Sequence, residues 1–245
     1  MGQFEHVVVV ACGRSAVAKS GKKGALRNMH PVTLGGLTLK GVLEKLPQLK
    51  PDQIDDLIVG CAIPERKQGF NMARLVAARA GLPDSVCGMT INRFCSSGLQ
   101  AIALAAGQIA CGVADVIVAG GVESMTSCPV NVDISDTFDP DLLLQREEEY
   151  LPMGLTAENV AARYNVTRQE MDELAVESHR RAAAAQDAGK FDDEIIPLPG
   201  VDADGNPIVF DKDQGIRRGT NLESLAALKP CFKEGGVVTA ATSSQ

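Results

Sequence analysis

Apolar residues in this chain fall into short continuous runs, separated by segments whose apolar positions recur every three or four residues. Residues 6–12 are Val-rich and predict a strand buried on both faces. Over 33–46, Leu34, Leu37, Val42, Leu43 and Leu46 recur at helical spacing, and Pro47 ends the segment. Residues 54–61 predict a second strand, 71–80 a second helix closed by Gly81 and Pro83, and 86–91 a third strand. An uncharged helix is predicted over 96–111 and a fourth strand over 113–119. An apolar helix without a charged face calls for protein on every side. Strands alternating with helices at this spacing predict an α/β fold with a largely parallel sheet.

After Gly120-Gly121 the pattern changes. An acidic stretch (Asp136, Asp139, Asp141, Glu147, Glu148, Glu149) reads as a solvated, mobile face, followed by two polar helices and short strands. Thr167-Arg168-Gln169-Glu170 fits a capping box that opens a helix running to about Ala188, before Gly189. Asp204-Gly205, between Val201 and Val209, predicts a hairpin turn. Residues 237–240 return to the buried-strand pattern. The segment 122–236 therefore reads as an insertion into a core formed by 1–121 and 237–245. The last residues, Ser243-Ser244-Gln245, bring no helix to cover that final strand. With the uncharged helix, this leads to the expectation that a second chain, or the rest of a longer protein, supplies a missing layer.

Composition narrows the function. The 245 residues are 45% hydrophobic, with 24 basic and 31 acidic side chains and a net charge of −7. That describes a soluble globular protein, and it disfavours nucleic acid, whose phosphates need a basic face. Without Trp and with two Tyr, base-stacking platforms are also disfavoured. Seven Cys form no Cys-x-x-Cys pair and the three His lie away from them, so no metal site is expected. Scattered thiols and no secretory signal point to the cytoplasm. Residues 94–114 are uncharged and long enough to span a bilayer, but Ser96, Ser97, Gly98, Gln100, Gly107, Gln108 and Gly112 argue for a core helix and no membrane.

The sharpest chemical feature is Asn92-Arg93-Phe94-Cys95-Ser96-Ser97-Gly98-Leu99. It sets Cys95 between a strand and the first turn of the uncharged helix, where unpaired N–H groups and the helix dipole stabilise a thiolate. A thiolate there is a competent nucleophile for acyl transfer, and nearby N–H groups can hold an oxyanion. Position alone leaves open the reading of Cys95 as a small buried apolar residue.

The same segment resembles the thiolase family, the acyl-CoA C-acyltransferases. The resemblance continues through Ala119-Gly120-Gly121-Val122-Glu123-Ser124-Met125 and Met153-Gly154-Leu155-Thr156-Ala157-Glu158-Asn159-Val160-Ala161. It extends to Ile216-Arg217-Arg218-Gly219 and Val238-Thr239-Ala240, covering nearly the whole chain in order. It implies two similar α/β halves packed as five layers, αβαβα, of which this is the N-terminal half, with 122–236 as a loop domain covering coenzyme A. Cys95 is implied as the nucleophile that takes the acyl group. Arg217 would flank the adenine, Ser224, Ala240 and Ser244 would line the pantetheine channel, and Met153 would lie near the acyl end. Acyl-CoA and CoA are implied as substrates with no resident cofactor, and a homo-oligomer, dimer or tetramer, as the assembly.

Thiolases also carry a Gly-His-Pro histidine and a Cys-x-Gly-Gly cysteine in a C-terminal half, and neither motif occurs here. His179 falls in the helix after Thr167, where it reads as exposed and no substitute for that histidine, and Cys128 and Cys231, which match no catalytic motif, read as structural. The leading expectation is a 3-ketoacyl-CoA thiolase of the degradative, β-oxidation type, working by a ping-pong mechanism and completed by the C-terminal half. Three alternatives stand beside it. They are a biosynthetic acetoacetyl-CoA thiolase, a decarboxylating condensing enzyme acting on carrier-protein thioesters, and an inactive acyl-CoA binding or assembly module.

Overall fold

The computed structural model describes residues 6–128 and 137–243. The chain forms two compact units, one of Met1–Val130 with Asp192–Gln214, the other of Asn131–Phe191 with Gly215–Gln245.

The first unit contains β1 (Arg14–Ser15), α1 (Pro31–Leu43), β2 (Asp56–Gly60), α2 (Met72–Ala80), β3 (Cys87–Ile91), α3 (Ser97–Ala110) and β4 (Ile117–Gly121). It is joined by β5 (Ile195–Ile196) and the hairpin β6 (Leu198–Val201) and β7 (Pro207–Phe210). The main sheet is parallel in the order β3-β2-β4, with Asp56 in register with both Cys87 and Ile117. Alternation along β2 decides what covers each face. Leu57 and Val59 join a core with Met72, Ala73, Val76 and Val86 on the α1–α2 side. Ile58 points the other way, to Ala101 and Ala105 of α3. Both faces of the central strand are buried, which is why its sequence is a continuous apolar run.

Start and stop signals hold where the sequence placed them. Asn71 caps α2 by accepting from the Arg74 N–H, and Gly81 ends that helix in the left-handed conformation. The β6–β7 pair is antiparallel across the Asp204-Gly205 turn.

One expectation about this unit needs correction. Residues 6–12 form no strand, and Val8, Val9 and Val10 are 72%, 81% and 67% exposed. A Val-rich run becomes a strand only where a neighbouring strand takes its hydrogen bonds, and among the described residues β1 alone pairs, over two residues, with β5. The uncharged helix α3 is not covered on all sides. It buries Ser97, Ala101 and Ala105, whereas Leu99 and Ile102 are 70% and 50% exposed.

Segment 192–214 is fixed to the first unit by charge. The Arg14 guanidinium donates to both Asp213 carboxylate oxygens at 2.7 and 2.9 Å and to Glu194 at 2.7 Å. The Val17 N–H adds a bond to Asp213.

The second unit contains α4 (Pro140–Gln145), α5 (Met153–Tyr164), α6 (Arg168–Asp187) and α7 (Leu222–Ala226). The capping box is present: Thr167 and Glu170 exchange bonds at the start of α6. Arg168 then ties α6 to the end of α7 through the carbonyls of Leu225 and Leu228, while pairing with Asp172. Residues 237–240 are not a strand, which corrects a second expectation. Their one bridge is Pro230 to Thr239, and the buried Glu158 carboxylate accepts the N–H groups of Val237 and Val238. A side chain thus takes bonds that a strand neighbour would otherwise take.

Two outcomes are expected. Glu158→Ala strands two buried N–H groups and is expected to destabilise the protein by about 2–4 kcal/mol, with Glu158→Gln, which keeps an acceptor, costing less. Equal unfolding free energies for the two variants in urea would contradict this. For Asp213, burial pushes the carboxyl up, but Arg14 and the Val17 N–H outweigh it and hold the carboxyl below the ordinary value of 3.8. A depressed carboxylate stabilises the fold above its unfolded pKa and loses that contribution as pH falls through the folded one. Parent and Asp213→Asn should therefore differ in melting temperature near neutral pH and converge below about pH 4. A gap that persists in acid would contradict the assignment.

Candidate active site

Cys95 sits in the short turn Phe94–Ser96 that links β3 to α3, and it is exposed. Three side chains build the turn. Asn92 Oδ1 accepts the Phe94 N–H at 2.8 Å, and Asn92 Nδ2 donates to the Ala62 carbonyl at 3.1 Å. Ser97, 3% exposed, accepts from the Arg93 N–H at 2.8 Å and donates to the Phe94 carbonyl at 2.6 Å. Ser96 Oγ donates to the Arg93 carbonyl at 2.9 Å. Held this way, Phe94 adopts a left-handed φ of 47°, a conformation that costs about 1–3 kcal/mol and persists only where the surroundings enforce it.

Cys12, Cys87 and Cys111 of the same unit are exposed as well, whereas Cys61 and Cys128 contrast with Cys95. Cys61 is buried, and that burial, together with the Glu123 carboxylate and Cys128, pushes its thiol up to about 11, so it stays protonated. Buried Cys128 donates to the Glu65 carbonyl at 3.0 Å. The histidines are engaged elsewhere: His30 caps α1 by accepting from the Val32 N–H, and His179 accepts the Arg217 N–H at 3.3 Å.

The second unit holds the remaining residues singled out by sequence. Arg217 lies in a cleft of about 430 Å³ lined also by His179, Arg180, Asp187, Arg218 and Thr220. Arg218 grips Asp187 with two bonds of 2.7 and 2.8 Å, which raises the guanidinium pKa further. Arg180 is likewise held by Glu177 through bonds of 2.6 and 2.7 Å, so two of the three guanidinium groups of the cleft stand in ion pairs. Sequence reasoning found Arg217 but read His179 as an exposed helix residue and passed over Arg180 and Arg218 as cleft residues. The spacing of His179, Ala183 and Asp187 by four along α6 was the signal that these positions share a face. Met153 lines a separate apolar cleft of about 380 Å³ with Thr156, Ala157, Val160, Val166 and Met171. Ser224 and Ala240 border neither cleft. Ser224 closes the capping box of α7 with Asn221, and Ala240 begins the turn Ala240–Thr242. Ser244 lies outside the described residues.

Among the described residues no cluster of His, Cys, Asp and Glu could hold a metal ion, and no helix is long and apolar enough to cross a membrane.

Comparison with known proteins gives a consistent result. The family described as thiolase, N-terminal domain, matches residues 7–245. A 3-ketoacyl-CoA thiolase of Bacillus subtilis (strain 168) is 43% identical, over 99% of this chain and 63% of its own length. An acetyl-CoA acetyltransferase of Cupriavidus necator is 41% identical, over 97% and 62%. The crystal structure of the Bacillus anthracis acetyl-CoA acetyltransferase superposes with a TM-score of 0.81 at 38% identity, over 96% of this chain and 61% of that one. The chain spans about three fifths of the length of the curated relatives it matches. Parallel sheet, family match and structural likeness agree: the chain belongs to the thiolase family and has the fold of its N-terminal domain.

Proposed function

We propose that this chain carries the acyl-accepting cysteine of an acyl-CoA C-acyltransferase, and that the acyl acceptor is Cys95. The observation that carries the reading is an exposed thiol in a strained turn at the N-terminal end of α3, in a chain 43% identical to a relative named 3-ketoacyl-CoA thiolase.

The chemistry runs in two halves. The Cys95 thiolate attacks the keto carbon of a 3-ketoacyl-CoA. The bond between C2 and C3 breaks, C2 keeps the electron pair, takes a proton and departs as acetyl-CoA. The thiolate of free CoA then attacks the Cys95 thioester, acyl-CoA leaves, and Cys95 returns to the thiolate. N–H groups in the first turn of α3, which precede any intrahelical acceptor, are suited to the oxyanion formed in each half. The degradative direction is favoured by the Phe94-Cys95-Ser96-Ser97-Gly98-Leu99-Gln100 segment. Acetoacetyl-CoA formation is the second reading, supported by relatives named acetyl-CoA acetyltransferase.

In this proposal the Arg217 cleft takes the nucleotide end of CoA, whose phosphates complement its guanidinium groups. Met153 borders the acyl end, and Ser224, Ala240 and Ser244 belong to the pantetheine channel of the loop domain, 122–236. CoA and acyl-CoA are substrates, and no resident cofactor takes part. Exposed Phe70 and Phe94 supply apolar area for a homo-oligomer. The open face of α3 supplies it for a C-terminal thiolase half, with which full turnover is expected. Seven free thiols support a reducing compartment, the cytoplasm.

Two measurements test this. After incubation with acetoacetyl-CoA, intact mass should show one acyl group on the parent chain and none on Cys95→Ala; equal labelling of both would refute the assignment. Calorimetric titration with CoA should show Arg217→Ala binding about tenfold more weakly than the parent. An unchanged dissociation constant would remove Arg217 from the site.

A further inference from the structure

Gln68 is a polar side chain with 0% exposure in the loop between β2 and α2, and its amide is fully used. The Gln68 NH2 donates to the Ile63 carbonyl at 2.8 Å and to Glu123 Oε1, and its oxygen accepts the Ser124 N–H at 2.6 Å. Glu123 Oε2 accepts the Ala62 N–H at 2.7 Å. The Ala62 carbonyl in turn accepts from Asn92, whose oxygen holds the Phe94 N–H beside Cys95. These bonds form one uninterrupted chain from the segment after β4, through the segment after β2, to the turn that carries Cys95.

Backbone strain is concentrated along the same path. Among the described residues, four non-glycine residues have left-handed φ, and three of them are Arg66, Phe70 and Phe94, at 50°, 61° and 47°. Two of these flank Gln68 and the third precedes Cys95. Such conformations persist only where surrounding bonds over-determine them, and they collect at functional sites.

We propose that Gln68 and Glu123 are positioning residues for Cys95: together they clamp Ala62 so that Asn92 can hold Phe94 in the strained turn that presents the thiol at the start of α3. The inference rests on the reading of Cys95 as the acyl acceptor and deepens it. Neither side chain reaches the reacting atoms; both act through Ala62 and Asn92.

Donor and acceptor logic gives a rescue test. Glu123→Gln sets an amide NH2 against either the Ala62 N–H or the Gln68 NH2, donor against donor. Gln68→Glu sets two carboxylates against each other. The exchanged pair, Gln68→Glu with Glu123→Gln, restores the acceptor for Ala62, a donor between the two side chains and the acceptor for Ser124, at the cost of setting a carboxylate oxygen against the Ile63 carbonyl.

The experiment treats each full chain with iodoacetamide and reads by peptide mass the alkylation rate at Cys95 relative to exposed Cys111, beside a thermal melt. The ratio should fall about tenfold in each single variant and recover most of that loss in the double variant. A purely structural staple would lower the melting temperature without moving the ratio. Should a single variant fail to fold, Asn92→Ala, an exposed position on the same path, should lower the ratio as well. A ratio unchanged in every variant, or a double variant no faster than the singles, overturns the proposal. Alkylation needs no acyl-CoA. A parent chain that is never acylated would therefore defeat the reading of Cys95 as acyl acceptor, while the alkylation ratio would still decide the clamp.

Discussion

The start of α3 lies against the end of β2 with no room for a side chain between them. A Cβ on Gly60 would stand 2.4 Å from the Ser97 carbonyl carbon and 2.6 Å from the Gly98 nitrogen, closer than real Cβ contacts allow. This approach of backbone to backbone sets where the helix begins. The side-chain bonds of Asn92, Ser96 and Ser97 then shape the short β3–α3 link around that start. The contact in turn requires β2 to be central, with β3 and β4 fixed in register on either side. Apolar burial on both faces of β2 supplies that rigidity: Leu57 and Ile58 are 1% and 0% exposed on opposite sides of one strand.

Around this frame, buried polar side chains do the work of shaping loops. Glu123 and Gln68 bind backbone in the first unit, and Glu158 binds the N–H groups of Val237 and Val238 in the second. Each satisfies backbone groups where no strand neighbour does, and a missing acceptor there carries a full desolvation cost. The guanidinium groups of the Arg217 cleft are exposed, and two of them are held by carboxylates of α6: Arg180 by Glu177 and Arg218 by Asp187.

How legible this was in the sequence depended on whether the partner of each pattern was local. The helices over α1, α2 and α6 were readable because caps and spacing act within a few residues, as at Asn71, Gly81 and Thr167. Strands β2, β3 and β4 were readable because their partners follow in order. Residues 6–12 and 237–240 carry the same apolar signature, yet the bonds that would make them strands are not local, and their Val residues misled the reading. Cys95 was visible from its place between strand and helix and from the thiolase resemblance. Gln68 was not: a glutamine in a polar loop gives no sign that it is buried until Glu123 and Ser124 are brought to it by the sheet. His179 and Arg218 were passed over because the cleft joins a helix face to a loop some forty residues away.

The Gly60 contact is the constraint on which the placement of the Cys95 turn depends. Gly60→Ala adds a single methyl group at a site with no space for it and touches neither Cys95 nor any cleft. The direct measurement is the acylation of this variant by acetoacetyl-CoA, followed by intact mass, with circular dichroism to confirm a folded chain. The account predicts a folded protein whose α3 start is displaced and whose acylation at Cys95 is slowed by at least about tenfold. A folded Gly60→Ala chain acylated at the parent rate would contradict it.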